Sequence, residues 1–434
     1  TGATGTAATL QYIGDGQWQT LAESQIGAGA ISSEQLSSNL TVTGTFNVTG
    51  PVTVGGGVSV TGTVIAAGFQ GSGVMPWKTV SGTTMSGAAN TGYLLTNAAQ
   101  TTIALPDTAN LGDLMQVTAA GAGGWQVAGL VMGGTPGVLW TAREPSGWWS
   151  TVASSADGTK LAAAIGSGNI HISTDSGATW TPRASGQNWQ SMAWSADGAK
   201  LFAAATSSQI YISMDAGTNW TPRASTQNWA AVASSYDGKK LVAVVSYGQI
   251  YTSTDSGTNW TVRESSRAWK GVASSADGTK LVAIVNGGQI YTSTDSGANW
   301  TPRADNQTWW AVASSADGTK LVAVVPGDKI YTSTDSGANW TGRMSGLGWI
   351  SVASSADGTK LVATASGSEY IYTSMDSGLT WTARASFQDW MSVASSADGM
   401  KLVAVEGNGK IHTSIAVLTG VAGSTVKLQY IGNG

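Results

Sequence analysis

Short apolar and alternating segments recur along most of the chain at a fixed spacing. From about residue 140 the segment V-A-S-S-A-D-G-T-K-L returns, with small changes, every 40 residues, and once after 41. No helical periodicity competes with this pattern, and a repeat of this length predicts one supersecondary unit per copy. The copies begin at Val152, Met192, Val232, Val272, Val312, Val352 and Val393.

Each copy predicts four short strands, named a to d in chain order. Strand a ends at an Asp-Gly pair such as Asp237-Gly238, which favours a tight hairpin turn. Strand b is the apolar run 240–245, which is typical of a strand buried on both faces. Strands c and d are 250–253 and 260–263. Four strands in about 40 residues predict one β-propeller blade per copy.

The two ends of the array carry incomplete units that complement each other. Residues 140–143 form a strand d with no a, b or c before it, and residues 410–414 form a strand c with no d after it. We expect these segments to pair, because pairing leaves no open edge on the array. The predicted fold class is therefore all-β, a closed seven-bladed β-propeller of four-stranded blades with β-rich fibre segments beside it.

A turn of sequence S-x-D-x-G-x-x-W joins strands c and d in six copies. It resembles the Asp-box, or BNR, repeat of sialidases, sortilin-type receptors and photosystem II assembly propellers over residues 140–414. The resemblance implies a propeller but no single function, since those families include enzymes and binders. A short carboxylate that accepts backbone N–H groups favours a structural role over metal binding or catalysis. The aspartates of the turn are Asp175, Asp215, Asp255, Asp295, Asp335 and Asp376.

Composition and charge narrow the classes of function. The 434 residues carry 21 Lys and Arg against 25 Asp and Glu, a net charge of −4. This charge gives no positive electrostatic potential that would attract nucleic acid or an anionic membrane. No apolar stretch is long enough to span a bilayer, so we expect no membrane insertion. Cysteine is absent, which excludes thiolate sites, and we expect no metal and no cofactor.

The polar residues do not predict an enzyme. A sialidase-like site, which the resemblance would imply, needs an arginine triad and a carboxylate pair that break the symmetry of a ring. Only Arg267 lies outside the repeated arginine position, and 13 of 19 aspartates lie in repeated turns. His171 and His412 replace the tyrosine of other copies, so we expect packing roles. The repeated arginines are Arg143, Arg183, Arg223, Arg263, Arg303, Arg343 and Arg384.

The strand order predicts one constant face and one variable face. The a–b turns and the c–d turns share the lower face, where the copies are nearly identical. The b–c loops and the crossovers from strand d to the next strand a share the upper face, where the copies differ. Because binding residues concentrate on variable loops, we predict that a ligand binds the upper face.

A tryptophan follows each repeated arginine by six residues and ends each crossover. One interpretation is that arginine stacks on or near this ring and stabilises the blade junction. The other is that the ring walls a pocket in which amides bind a neutral sugar, as in lectins of this general design. Trp149 occupies the same position in the first copy. The second interpretation selects Gln187, Asn188, Trp189, Gln227, Asn228, Trp229, Trp269, Gln307, Trp309, Trp349, Gln388, Asp389 and Trp390 as ligand-binding residues.

The segments beside the array predict a fibre. Residues 1–40 form an N-terminal connector, and residues 41–72 carry glycine every six positions, which resembles the trimeric stalks of phage tail fibres and adhesins. A flexible linker is the alternative. Residues 73–139 predict a small β-domain into which the propeller, 140–414, is inserted, and residues 415–434 would complete it.

The two ends of the chain resemble each other. Residues 1–16 align with residues 419–434 at nine of 16 positions. We therefore expect one period of a longer tandem protein, or a subunit whose end replaces the start of its neighbour. The chain begins without Met, so we also expect it to be processed or cut from a longer polypeptide.

Taken with the propeller, these features predict a non-enzymatic fibre or filament protein at an extracellular, cell or virion surface. Its propeller would bind glycans, for attachment. The alternative is a protein-binding propeller of the photosystem-assembly kind, with the repeated arginines on the partner surface, and a sialidase-like glycosidase is third. Expected partners are glycans or a surface protein. The stalk and the matching ends would add self-association as a trimer or filament.

Overall fold

The computed structural model describes residues 9–14, 17–21, 77–105, 114–128, 135–184, 186–367, 369–420 and 425–429. Every regular element within these ranges is a β-strand, so the described fold is all-β. The stalk predicted over 41–72 lies outside the described residues. The chain divides into a unit of residues 1–70 and a unit of residues 71–434. In the first unit, Thr9–Gly14 and Gln17–Leu21 pair as an antiparallel hairpin.

Each sequence repeat folds as four antiparallel strands in the order a-b-c-d. In the copy that starts at Val232, strand b runs from Leu241 to Gly248, three residues past its predicted end, and its apolar part is buried on both faces. Strand c is Ile250–Ser253, as predicted, whereas strand d has only the two residues Thr261–Val262. Strand d lies on the exposed outer edge of the sheet, and its length varies from unit to unit.

The strands a are Trp149–Ser154, Gln187–Trp194, Trp229–Ser234, Arg267–Ser274, Ala311–Ser314, Trp349–Ser354 and Trp390–Ser395. The strands b are Leu161–Ile165, Leu201–Thr206, Leu241–Gly248, Leu281–Ser293 (which continues through strand c), Leu321–Val324, Leu361–Ala365 and Lys401–Glu406. The other strands c are Ile170–Ser173, Ser208–Ser213, Ile250–Ser253, Lys329–Ser333, Glu369–Ser374 and Gly409–Gly420. The strands d are Thr181–Pro182, Thr221–Gln227, Thr261–Val262, Thr301–Thr308, Thr341–Ser345, Thr382–Gln388 and Thr135–Gly147, and the short strand Ser167–Gly168 lies in the first b–c loop.

The last copy takes its strand d from the opposite end of the array. Gly409–Gly420 pairs antiparallel with Thr135–Gly147, and Ile411 lies opposite Arg143. The Nε of Arg143 donates a hydrogen bond to Oγ1 of Thr413 at 2.8 Å. Two segments about 270 residues apart in sequence are therefore neighbours in one sheet.

Backbone hydrogen bonds also join the a–b turns of successive units. The N–H of Ala156 donates to the carbonyl of Ala196 at 3.0 Å, and Ala397 donates to the carbonyl of Ala156 at 2.7 Å. These bonds tie the start of the array to its end. In order, each residue donating to the next, the series is Ala156, Ala196, Tyr236, Ala276, Ala316, Ala356, Ala397 and again Ala156.

The c–d turn is built around a serine and an aspartate that bond to each other. Oγ of Ser293 donates to Oδ1 of Asp295 at 2.8 Å and accepts from the N–H of Gly297 at 2.9 Å. Asp295 also accepts from the backbone and side-chain amides of Asn299, at 2.9 and 2.7 Å. Nε1 of Trp300 donates to the Gly297 carbonyl at 3.1 Å. The carboxylate oxygens of Asp295 thus stabilise the turn itself.

Residues 77–128 form a stack of parallel strands, a direction that alternation in the sequence does not reveal. One sheet contains Trp77–Val80, Thr91–Leu95 and Leu114–Ala119, and the other contains Thr84–Ser86, Thr101–Ala104 and Trp125–Ala128. The two sheets enclose an apolar core. Its buried residues are Tyr93, Leu95, Ile103, Met115, Val117, Ala119, Trp125 and Val127.

The C-terminal segment adds one antiparallel strand to each of these sheets. Thr425–Gln429 pairs with Leu114–Ala119, and the end of Gly409–Gly420 pairs with Trp125–Ala128. Because Gly409–Gly420 also pairs with Thr135–Gly147, one strand belongs both to the stack and to the last unit of the array.

Replacing Ser293 with alanine should weaken the fold by opening a buried turn. The change leaves the buried N–H of Gly297 without an acceptor, and a lost buried hydrogen bond of this kind costs about 1–3 kcal/mol. Urea unfolding of Ser293→Ala should show that decrease in the free energy of unfolding. Thr294→Ala changes an exposed residue of the same turn and serves as control. Equal stability of the two variants would contradict this account.

The turn aspartates should make the protein sensitive to strong acid. Hydrogen bonds from Asn299 lower the pKa of Asp295 to about 2, and those from Ser315 and Thr319 lower the pKa of Asp317 to about 2, against 3.8 for an unperturbed carboxyl. The stabilisation is complete above the ordinary value and is lost as pH falls towards 2. The thermal midpoint should therefore drop between pH 4 and about 2. A constant midpoint over this interval would rule the mechanism out.

Candidate binding face

Hydrogen bonds place the loops on two faces. On the lower face, the N–H of Ser176 in a c–d turn donates to the carbonyl of Thr159 in the a–b turn of the same unit, at 2.9 Å. Nζ of Lys160 donates to the carbonyl of Asp197 in the next unit, also at 2.9 Å. On the upper face, the first b–c loop pairs with the crossover, with Gly168 opposite Gln187.

The tryptophans at the ends of the crossovers are all buried, with exposed fractions of 0–2%. The ring of Trp229 contacts Tyr251 edge-on, with centroids 5.1 Å apart, and lies 6.1 Å from Trp260. Its Nε1 donates to the carbonyl of Ser225 at 3.2 Å. A sugar that stacks on tryptophan needs an exposed ring face. The burial therefore favours the packing interpretation for Trp149, Trp189, Trp229, Trp269, Trp309, Trp349 and Trp390.

Five of the seven repeated arginines bond through their side chains to a threonine of the neighbouring strand c, whereas Arg183 and Arg223 face strands with isoleucine at that position and make no such bond. Nε of Arg263 donates to Oγ1 of Thr252 at 2.8 Å, and burial lowers the pKa of Arg384. In the part of the chain that the structure describes, the cation–π contacts are made by Arg267 and Lys270 instead. The same arginine–threonine bond is made by Arg143, Arg303, Arg343 and Arg384.

The predicted amide donors lie on the upper face, where they connect loops to one another. Oε1 of Gln187 accepts from Oγ of Ser208 at 2.5 Å, and Oδ1 of Asn228 accepts from Oγ of Ser207 at 3.0 Å. Asn188 is exposed. A binding role for these side chains stays a prediction. Gln227, Gln307, Gln388 and Asp389 occupy corresponding crossover positions.

The residue after each buried tryptophan lies near the upper end of strand a. We call these residues the upper rim. Oγ of Ser150 donates to the carbonyl of Trp189, the residue before the next member, at 3.0 Å, and Lys270 contacts the next member, Trp310. The upper rim differs from copy to copy in size and charge. Its members are Ser150, Gln190, Ala230, Lys270, Trp310, Ile350 and Met391.

Lys270 and Trp310 form the one charged contact of the upper rim. The Nζ of Lys270 lies 3.8 Å from the centroid of the Trp310 ring, which is 38% exposed. Burial lowers the pKa of the Lys270 ammonium. Among the residues described, no carboxylate lies within 4.0 Å of Nζ. The cation is therefore stabilised by a ring face and has no counter-charge of its own.

A second cation, Arg267, begins the strand a that also contains Lys270. The guanidinium of Arg267 lies 4.8 Å from the centroid of Tyr291, and its Nη2 is 3.6 Å from Oε1 of Glu264. Its buried Nε has no hydrogen-bond partner. Arg267 is the arginine that the sequence sets apart from the repeat, and here Glu264 compensates its charge.

Tyr247 lies near the end of strand b, where the chain turns towards strand c. Its side chain is 84% exposed, and its backbone has φ +58°, a left-handed conformation that is unfavourable for a bulky residue. The same loop position is held by Gly287, Gly327 and Gly367, all with positive φ. Gly248 pairs with Arg267, which puts Tyr247 in the same sector of the upper face.

The lower face has a bulky departure from the repeat in one a–b turn. Tyr236 replaces the alanine of the other a–b turns and is 64% exposed beside a shallow cleft of about 370 Å³. Asp237 and Lys239 line the cleft and pair with each other at 3.8 Å. The charges there are already matched, unlike that of Lys270.

The two histidines pack against tryptophans of the fold. Nε2 of His412 bonds to Oε1 of Glu406 at 2.5 Å, and the His412 ring packs edge-on against Trp390. Burial lowers the pKa of His171, which packs edge-on against Trp149. In the described ranges, no group of three acidic or histidine side chains is placed to hold a metal, and no helix could cross a membrane.

The upper rim is the part of the site that sequence reasoning missed. The sequence search followed the residues that recur, whereas the rim is the position where the copies differ most. Aligning the copies on the buried tryptophan and comparing the next residue would have found Lys270 and Trp310.

Replacing Tyr247 with asparagine should stabilise the protein. Asparagine tolerates a left-handed backbone better than tyrosine, and relief of such strain is worth up to about 1 kcal/mol. The thermal midpoint of Tyr247→Asn should therefore rise. Tyr236→Asn, at an exposed position without positive φ, is the matched control and should gain nothing. A lower midpoint for Tyr247→Asn would show that the tyrosine itself supports the fold.

Comparison with known proteins gives the fold. No protein-family model and no curated protein matches the chain. YCF48 from Cyanidioschyzon merolae has a TM-score of 0.52 at 18% identity, covering 64% of this chain and 99% of its own. YCF48 bound to D1 peptide has 0.51 at 16%, covering 65% and 99%. The β-propeller domain of Myceliophteria thermophila Cps50 (Swd1) has 0.53 at 14%, covering 63% and 99%. The chain therefore contains a β-propeller.

Proposed function

We propose that this propeller is a closed ring of seven blades that binds a polypeptide partner on its upper face. The ring is supported by the pairing of Gly409–Gly420 with Thr135–Gly147 and by the series of hydrogen bonds that returns from Ala397 to Ala156. Binding of a polypeptide is supported by one similar structure, a YCF48 bound to D1 peptide.

We choose the upper face as the binding face because of the residues around Lys270. Tyr247, Lys270 and Trp310 put an exposed aromatic side chain, an uncompensated cation and a half-exposed ring on the variable face. Tyrosine and tryptophan are enriched at protein–protein interfaces and among the residues that contribute most binding energy. A lysine whose charge has no partner adds a site for an acidic group of the ligand. The lower face, in contrast, uses its turn side chains for hydrogen bonds within and between units.

Glycan attachment is the second candidate. Its sequence argument relied on tryptophan rings as stacking surfaces, and those rings are buried, so its support now comes only from the amides and from exposed aromatics such as Trp148. A non-enzymatic role and an extracellular or virion-surface location stay part of the proposal. The proposal also includes self-association of the protein through the stalk and the two ends of the chain. The Asp-box relationship supports a ring but does not select among these functions.

The test is to challenge the full chain with an array of unrelated 12-residue peptides and, in parallel, with a glycan array. Peptides should bind, and Ile350→Arg should weaken them at least about tenfold, because it puts a long charged side chain on the apolar part of the upper rim, next in order to Trp310. Another unit carries Lys270 at this position, so the fold tolerates a long cationic side chain there. Ala298→Arg puts the same side chain in an exposed lower-face turn and should leave binding unchanged.

Two results would contradict the proposal. Selective glycan binding without peptide binding would restore the attachment hypothesis. Loss of peptide binding in Ala298→Arg but not in Ile350→Arg would put the binding site on the lower face.

A further inference from the structure

The upper rim is chemically divided into two arcs. Going from unit to unit, Lys270, Trp310, Ile350 and Met391 follow one another and supply a cation, an aromatic ring and two apolar side chains. The opposite arc contains only small or neutral polar side chains, Ser150, Gln190 and Ala230. A ligand that uses this rim is therefore recognised along one arc, by a negative group at one end and apolar groups beside it.

The surroundings of the Lys270 ammonium favour binding of an anion. It lies over the Trp310 ring at 3.8 Å, and burial lowers its pKa, which shows that the surroundings solvate the charge poorly. A partly desolvated ammonium gains strongly from a charge-assisted hydrogen bond to a carboxylate. Nearby Arg267 already faces Glu264, whereas no described carboxylate faces Lys270.

Resting on the proposed function, we propose that Lys270 binds the side-chain carboxylate of a Glu or Asp in an extended segment of the partner polypeptide. An apolar residue next to that acid in the segment packs against Ile350 and Met391. Trp310 holds the ammonium in place and covers the ion pair on one side.

Backbone geometry at the rim favours a side-chain carboxylate over a chain terminus. Capture of a C-terminal carboxylate uses a nest of free backbone N–H groups. At this rim, however, the N–H of Trp310 donates to the carbonyl of Val324 at 3.0 Å, so it is not available to a ligand. One lysine without such a nest fits a single carboxylate on a flexible side chain.

The experiment uses peptides that the array selects and that contain one acidic residue, made with acetylated N-termini and amidated C-termini. Each is compared with its Glu→Gln or Asp→Asn form by fluorescence anisotropy on the full chain. Removal of the acid should weaken binding to the native protein at least about tenfold. Lys270→Met should weaken the acidic peptide equally, and removing the acid should then cause no further loss. Lys270→Arg should restore part of the affinity.

Lys329→Met is the matched control, because it removes one positive charge from the upper face outside the rim and should leave binding within about twofold. The inference is overturned if the neutral peptides bind as well as the acidic ones, or if Lys270→Met lowers the thermal midpoint but not the affinity. Tighter binding of the same peptides with free C-termini, lost in Lys270→Met, would overturn it in favour of a terminal carboxylate. Charge-independent peptide binding leaves the proposed function standing, whereas absence of any peptide binding overturns both.

Discussion

The array depends on the backbone hydrogen bonds between successive a–b turns. Each turn donates one bond and accepts another, so its geometry is fixed from both sides. Gly278 shows how strict this is: its φ is +67°, and a Cβ there would come within about 3 Å of the Lys240 side chain of the preceding unit. A unit whose turn departed from this conformation would lose its contact with two neighbours. The near-identity of the lower-face turns follows from that constraint.

The same constraint explains why the variable chemistry lies on the upper face. Strand b is buried on both faces, and the tryptophan that opens strand a is enclosed by strand c and by the crossover, so neither has room to vary. The b–c loops and the rim residues are attached to this frame only at their ends. Their side chains differ between units without disturbing the contacts that join one unit to the next.

The sequence predicted the repeat, its four strands and the two faces because these depend on local pattern and period. It did not predict the short strand d of Thr261–Val262 or the parallel stack of residues 77–128, since strand length at an exposed edge and strand direction are decided by tertiary contacts. The tryptophans illustrate a similar limit. Their spacing was evident, but whether a ring such as that of Trp229 walls a pocket or fills the core is decided by neighbours 22 and 31 residues away in sequence.

In a repeated structure, a functional site is best sought where one unit has a less stable local structure than the same position of the other units. The backbone of Tyr247 has a strained left-handed conformation, which glycine adopts without strain in three other units. Because its side chain is exposed, packing contacts do not offset that strain. Lys270 is partly desolvated without a counter-ion at a position where the other six units carry an uncharged residue. Both features lie in one sector of the upper face, and neither contributes a contact that the array requires. Their coincidence is explained if the missing contacts are supplied by a partner, which is why the binding proposal rests on these residues and not on the repeated ones.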